Sequence, residues 1–197
     1  MSPQDVISGI HSSGRVVYKI EMARDEVGVK TPPIIRYFDL VQHQEHTMMG
    51  RSQSNTLIIR LGEDASGNLY LLGKLREGKS WDFIIDTTPP LCMPAKISWG
   101  SAWQYTAHYA SGSNETIVYS CLGSEHLKTP AGEYDAYKLK VNMTFSQIPD
   151  ATGYVWISPN LPYVFELRSE VSSTEPVRGV SQRMDMVSTL ESVKMVR

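Results

Sequence analysis

Tyr137-Lys138-Leu139-Lys140-Val141-Asn142-Met143-Thr144-Phe145 decides the fold. Every second residue is apolar, and every one between is charged or polar. Successive side chains of an extended strand point to opposite faces, so this order puts one face in a core and the other in water. A helix would need apolar residues three as well as four apart, and the segment has none three apart. It predicts a half-buried strand.

The same rhythm recurs in both directions. Trp103, Tyr105, Ala107 and Tyr109 alternate with Gln104, Thr106 and His108, and Ile117, Tyr119 and Cys121 alternate with Thr116 and Ser120. Ser111-Gly112-Ser113-Asn114 between them reads as a hairpin loop. Downstream, Tyr163, Phe165 and Leu167 alternate with Val164, Glu166 and Arg168, and Val180, Met184 and Met186 with Ser181, Arg183 and Asp185. Upstream, Val16, Tyr18, Ile20 and Met22 form one set. Leu57, Ile59 and Leu61 lead into the turn-like Asp64-Ala65-Ser66-Gly67-Asn68 and then Leu69 to Leu72. Trp81, Phe83 and Ile85 alternate with Asp82 and Asp86 before Pro89-Pro90 halts the pairing. Strands at such spacing predict an all-β domain of about ten strands, a single strongly curved antiparallel sheet forming an open barrel or a sandwich. Residues 1–197 are read as one domain, with the Pro-rich stretch 87–94 as a crossover. Only Pro3 to Ile10 suits a short helix.

Composition narrows the function. With 41% hydrophobic and 20% charged residues the chain is of ordinary globular make-up. A formal net charge of -2 gives no reason to expect nucleic acid as a partner. No apolar run approaches the roughly 20 residues of a membrane helix. Met1 to Ile10 lacks the basic and apolar regions of a secretory signal.

His43-Gln44-Glu45-His46 places its histidines three apart, on opposite faces of a strand, so they do not converge on a metal. Gly73-Lys74-Leu75-Arg76-Glu77-Gly78-Lys79-Ser80 fits the phosphate-loop formula. Such a loop works only with a helix after it, whereas Trp81 to Ile85 continues as a strand; a turn with its charges facing water is the simpler reading. His126 lies near Cys121 but on the opposite strand face, which argues against a thiolate pair. Glu166, Arg168 and Glu170 share a face and read as a charge-balanced surface. No catalytic residue, metal ligand or cofactor is expected, and the chain is read as a non-enzyme.

Two features remain. Cys92 and Cys121 can be a disulfide, stabilising by roughly 3–4 kcal/mol, or two small buried hydrophobes. Trp99, Trp103, Tyr105, Tyr109 and Tyr119 cluster on neighbouring strands, where they either line a ligand face or fill the core.

Several turn and packing motifs stand together: Leu91-Cys92-Met93-Pro94, Trp99-Gly100-Ser101-Ala102-Trp103, Thr129-Pro130-Ala131-Gly132-Glu133-Tyr134-Asp135-Ala136-Tyr137-Lys138, and Trp156-Ile157-Ser158-Pro159. In these, roughly residues 90 to 190 resemble the DUF3108 or TapB-like proteins of bacterial cell envelopes. The chain departs from that pattern at Asn160-Leu161-Pro162, where the family usually has glycine in the turn. The resemblance implies a curved antiparallel sheet in a periplasmic or otherwise exported protein, and no catalytic residues. From it, and from the groove that a curved sheet leaves, three readings follow. The first is a lipid or other apolar ligand, or a protein segment, held in the concave face. The second is an interaction module with a closed core that recruits an envelope partner. The third is an undetected hydrolase.

Overall fold

The computed structural model describes residues 13–24, 33–44, 47–52, 57–76, 82–161, 166–177 and 180–196. The expected helix at Pro3 to Ile10 lies outside them, as do Glu45, His46, Glu77 to Trp81, and Tyr163 to Phe165. The described residues contain no helix, and so none long and apolar enough to cross a membrane.

Thirteen strands are found among the described residues: β1 (Ser13–Arg24), β2 (Ile34–Gln44), β3 (Thr47–Ser52), β4 (Leu57–Glu63), β5 (Leu69–Arg76), β6 (Asp82–Phe83), β7 (Leu91–Met93), β8 (Ala102–His108), β9 (Asn114–Thr129), β10 (Gly132–Phe145), β11 (Ala151–Ile157), β12 (Glu166–Val177) and β13 (Val180–Val196). They form one antiparallel sheet in the order β6-β5-β4-β3-β2-β1-β13-β12-β11-β10-β9-β8, with β7 added against β5. The first and last long strands are therefore neighbours, and the chain runs outward from that seam in two arms. From β6 the chain runs through Ile85 to Pro90 into β7, which lies within the Pro-rich stretch and pairs with β5.

The sheet curls until its two edges touch without closing into a barrel. Ile84 and Tyr109 form a single antiparallel bridge. Ile85 N–H donates to the His108 carbonyl at 3.0 Å and Ala110 N–H to the Phe83 carbonyl at 3.0 Å. Two carboxylates fasten this contact: Asp82 accepts from the Ser111 N–H and hydroxyl, and Asp86 from the His108 N–H and ring Nδ1.

The alternation expected for the second half is present. Tyr105, Ala107, Tyr109, Ile117, Tyr119, Cys121, Tyr137, Leu139 and Val141 are buried, while Gln104, Thr106, His108, Lys140 and Asn142 face solvent. They join Val16, Leu61, Leu69, Leu71, Leu167 and Leu190 in one core enclosed by both arms. The hairpin at Pro130-Ala131 is as tight as proline and glycine predict, with Gly132 paired to Thr129 and carrying φ +139°. The Asp64 turn is fixed by its own carboxylate. It accepts from the Ser66 and Asn68 N–H groups, the Asn68 amide and the Tyr70 hydroxyl, and these hold its pKa at about 2.

Candidate functional site

Three groupings in the interior decide what the sheet can do: the aromatic cluster, a buried ionic clasp, and the seam between the arms. The first contains the expected ligand-face aromatics. Tyr105, Tyr109 and Tyr119 are buried and Trp103 is half-buried, whereas Trp99 sits on a turn with 82% of its surface exposed. Trp103 stacks on Tyr119 at 4.9 Å between ring centroids and donates its Nε1–H to the Cys92 carbonyl at 3.1 Å. Trp103 and Tyr119 are thus packed on one another, and all four inward rings belong to one core cluster.

The clasp was invisible in the sequence. Lys74 was read as a water-facing charge, yet it is largely buried and its Nζ lies 2.5 Å from Glu115, itself buried. Tyr109 and Tyr105 donate their hydroxyls to the other Glu115 oxygen at 2.9 and 3.3 Å, and the Lys74 ammonium lies 5.4 Å above the Tyr109 ring. The phosphate-loop string runs as strand β5 through Gly73 to Arg76, so those residues form no loop around a phosphate.

The two cysteines are separate thiols. Cys92 Sγ donates to the Leu69 carbonyl at 3.2 Å, and Cys121 Sγ faces the Gly123 carbonyl. Burial pushes the Cys92 thiol up to about 12 and raises that of Cys121. A raised pKa keeps each thiol protonated rather than thiolate at neutral pH. The candidate disulfide gives way to the alternative of two small buried side chains. His126, on the outer face, is engaged elsewhere: its ring nitrogens meet Asp135 and Glu133, which together raise its pKa.

On β12, one strand from the seam, the simple alternation fails. The pairing of β11 with β12 shifts between Trp156 and Ile157, so that Trp156 lies opposite Arg168 and Ile157 opposite Glu166. The extra residue, Leu167, is fully buried. A bulge of this kind re-aims its neighbours, and here it turns Glu166 away from the surface it was expected to share with Arg168 and Glu170. Those two remain a 2.6 Å ion pair on the outer face. The Glu166 carboxyl is withdrawn from water beside the Tyr18 hydroxyl, and burial lifts its pKa to about 7 despite a hydrogen bond with Ser169. A second register shift, between Val17 and Tyr18 of β1, leaves Glu191 of β13 as the extra residue there.

That carboxyl gives a pH prediction. A group whose folded pKa lies above its unfolded value stabilises below the unfolded value, about 4.5, and the stabilisation is lost as pH rises through about 7. Wild-type protein is expected to lose on the order of 1–3 kcal/mol across that window from this group. Glu166→Gln should flatten the loss and be the more stable form at pH 8. Urea melts at pH 5 and pH 8 measure it; equal pH slopes for both proteins would place the carboxyl in solvent.

Beyond Glu166 the inner face opens. Cross-strand pairing sets Met22 beside Met186, Met186 beside Val171, and Val171 beside Gly153; one step along, Met184 meets Ser173, Ser173 meets Ala151, and Ala151 meets Met143. Met22, Met143, Val171, Met184 and Met186 are all half-buried, unlike the sealed core next to them. Along the same strands lies an open groove of about 600 Å³, lined by Met143, Ala151 and Ser173 together with Asn142, Thr152 and Arg183 among others. Among the described residues no group of three histidine, cysteine, aspartate or glutamate side chains could hold a metal ion.

No family model and no curated protein matches the chain. Solved structures do. One is a protein of Bacteroides fragilis described as exported and with a YmcC-like fold, 14% identical, with a TM-score of 0.46 over 97% of this chain and 99% of that one. A protein of Parabacteroides distasonis described as a lipoprotein is 15% identical, with a TM-score of 0.38 over 92% and 95%. The hypothetical lipoprotein YmcC of Escherichia coli is 10% identical, with a TM-score of 0.38 over 89% and 87%.

Proposed function

We propose that the protein is a non-enzymatic component of the bacterial cell envelope that holds an apolar ligand, a lipid or an apolar protein segment, against the inner face of its curved sheet. The observation that carries this reading is the contrast along that face. Around Leu139 it is sealed by its own side chains, whereas at the seam Met22, Met184, Met186, Met143 and Val171 keep part of their surface open. Methionine is unbranched and polarizable, so a surface built from it adapts to chains of varied shape. The envelope location rests on the motif resemblance of residues 90 to 190. The inert, buried thiols are compatible with an oxidising compartment.

Native mass spectrometry after gentle purification is expected to find a co-purified apolar molecule. Met186→Asp should weaken binding of a fluorescent fatty acid at least about tenfold while leaving the melting temperature within a few degrees, because a charge in an apolar contact must be desolvated. Repeated recovery of empty protein that also ignores the probe would remove the reading.

A specific observation favours a second one, an interaction module. The aromatic end of the core is closed, and Trp99, Phe83 and Ile85 are exposed at its rim. Empty protein that pulls down an envelope component through that rim is the outcome that would select it.

A further inference from the structure

Two apolar side chains stand in water next to one another, and each is put there by its own local device. Trp99 is 82% exposed at the tip of the turn 98–101. Ser101 N–H donates to the Ser98 carbonyl at 3.0 Å, and Gly100 carries φ +81°, the left-handed third residue that a type II turn requires. The Ser101 hydroxyl also accepts from the Ser98 N–H at 3.0 Å and meets the Ser98 hydroxyl at 3.1 Å, so the turn is closed twice. Leu122, 46% exposed, is the extra residue where the pairing of β9 with β10 slips. Cys121 lies opposite Leu139 and Gly123 opposite Lys138, which leaves Leu122 unpaired and re-aimed outward.

The backbone ties these two features together. Gly100 N–H donates to the Cys121 carbonyl at 3.1 Å and Cys121 N–H to the Ser101 carbonyl at 2.8 Å, which fastens the turn beside the bulge. Lysines surround the pair. Lys138 and Lys140 stand on β10 opposite Gly123 and Ser120, on either side of Leu122, and the exposed Lys96 precedes Trp99 by three residues. The Lys138 ammonium lies 4.8 Å from the centroids of both the Tyr154 and Trp156 rings, on the outer face. Two acids of that face are engaged: Glu125 accepts from Trp156 Nε1, and Glu170 pairs with Arg168.

We propose that this tip is a contact for an anionic lipid surface, with Trp99 and Leu122 entering the headgroup layer and the three lysines lying against it. The inference is independent of what fills the inner face. Size and charge select this occupant. The two side chains offer about 300 Å² at most between them, because Phe83 and Ile85 lie at the other end of β8, beside His108 and Ala110. A stable contact between proteins buries roughly 1,200 Å² or more with matched contours. A bilayer needs no matched contour, tryptophan favours its interface, and each lysine near an anionic surface adds to the attraction. With a formal net charge of -2 the whole chain supplies no such pull, so the local grouping must.

Vesicles of phosphatidylcholine mixed with phosphatidylglycerol should pellet the full chain, and vesicles of phosphatidylcholine alone should bind it at least about fivefold more weakly. Trp99→Asp should weaken binding to the mixed vesicles at least about tenfold with an unchanged melting curve. Ile148→Asp, at an exposed apolar residue between β10 and β11, should bind as wild type. Phospholipid brominated on its acyl chains should quench the wild-type fluorescence, and Trp99→Phe should remove most of that quenching while still pelleting. Pelleting reads protein held on the vesicle, so lipid carried off in the inner face does not register. Protein that stays in solution with the mixed vesicles overturns the proposal. So does equal binding to both kinds of vesicle, or binding indifferent to Trp99→Asp. A dimer that Trp99→Asp dissolves, without vesicle binding, would assign the tip to a second copy and overturn it as well.

Discussion

Glu115→Ala is expected to lower the unfolding free energy by about 3–5 kcal/mol, a large share of the roughly 5–15 kcal/mol that holds a domain together. The reason is position as much as charge. Glu115 begins β9, near one end of the sheet, and Lys74 belongs to β5, near the other; their 2.5 Å contact crosses the interior and fastens the two arms. Truncation leaves a buried ammonium without its anion and removes the acceptor of the Tyr105 and Tyr109 hydroxyls. Removing one partner of a buried pair costs far more than replacing both by apolar groups. The double variant Lys74→Met, Glu115→Leu should therefore be clearly more stable than Glu115→Ala alone. Urea denaturation of the single and double variants, read as a double-mutant cycle, measures this. A cost below about 1 kcal/mol for Glu115→Ala would mean the pair is solvated and the arms are held by packing alone.

How far the sequence could be read depends on how local each feature is. The alternation through Trp103 to Tyr109, Ile117 to Cys121 and Tyr137 to Phe145 is a property of neighbouring residues, and each set lies on the expected face. It loses its force wherever the pleat is interrupted. The bulge at Leu167 turns Glu166 inward, and only the pairing of β12 with β11 reveals it. Phe83 and Ile85 were expected on a core face of a strand, but β6 is only two residues long and both side chains are exposed. Strands β2, β3, β7 and β11 carried no clear alternation and were not anticipated, which is why thirteen strands stand where about ten were expected. The candidate aromatics show the same limit. Four of them belong to alternating segments and point inward, while Trp99 belongs to a turn, where period carries no information. Nothing local to Met22 and Met186 marks them as neighbours either; β1 and β13 meet only because the sheet folds its two ends together.

Gly153→Ala is expected to be the most damaging single methyl group that can be added to the sheet. A Cβ at this position would lie 1.9 Å from the Glu170 carbonyl oxygen, 2.8 Å from the Val171 Cα and 2.9 Å from the Glu170 carbonyl carbon. All three are backbone atoms of β12, so no rotamer change relieves the overlap, and β12 must separate from β11 or shift its register. The residue needs glycine for space. Its pairing with Val141 and Val171 continues the ladder, and no positive φ is involved. Overpacking that side chains can absorb costs about 1–3 kcal/mol, and backbone overlap of this depth should cost more. Gly100→Ala is the comparison: φ is +81° there and nothing lies within 4 Å, so only the left-handed backbone is penalised, by about 1–2 kcal/mol. Thermal melts of the two variants should differ widely, with Gly153→Ala the lower or insoluble. Equal melting temperatures would show that β11 and β12 do not approach so closely. In that case Gly153, which lies beside Val171 on the methionine face, would not set the depth of that face either.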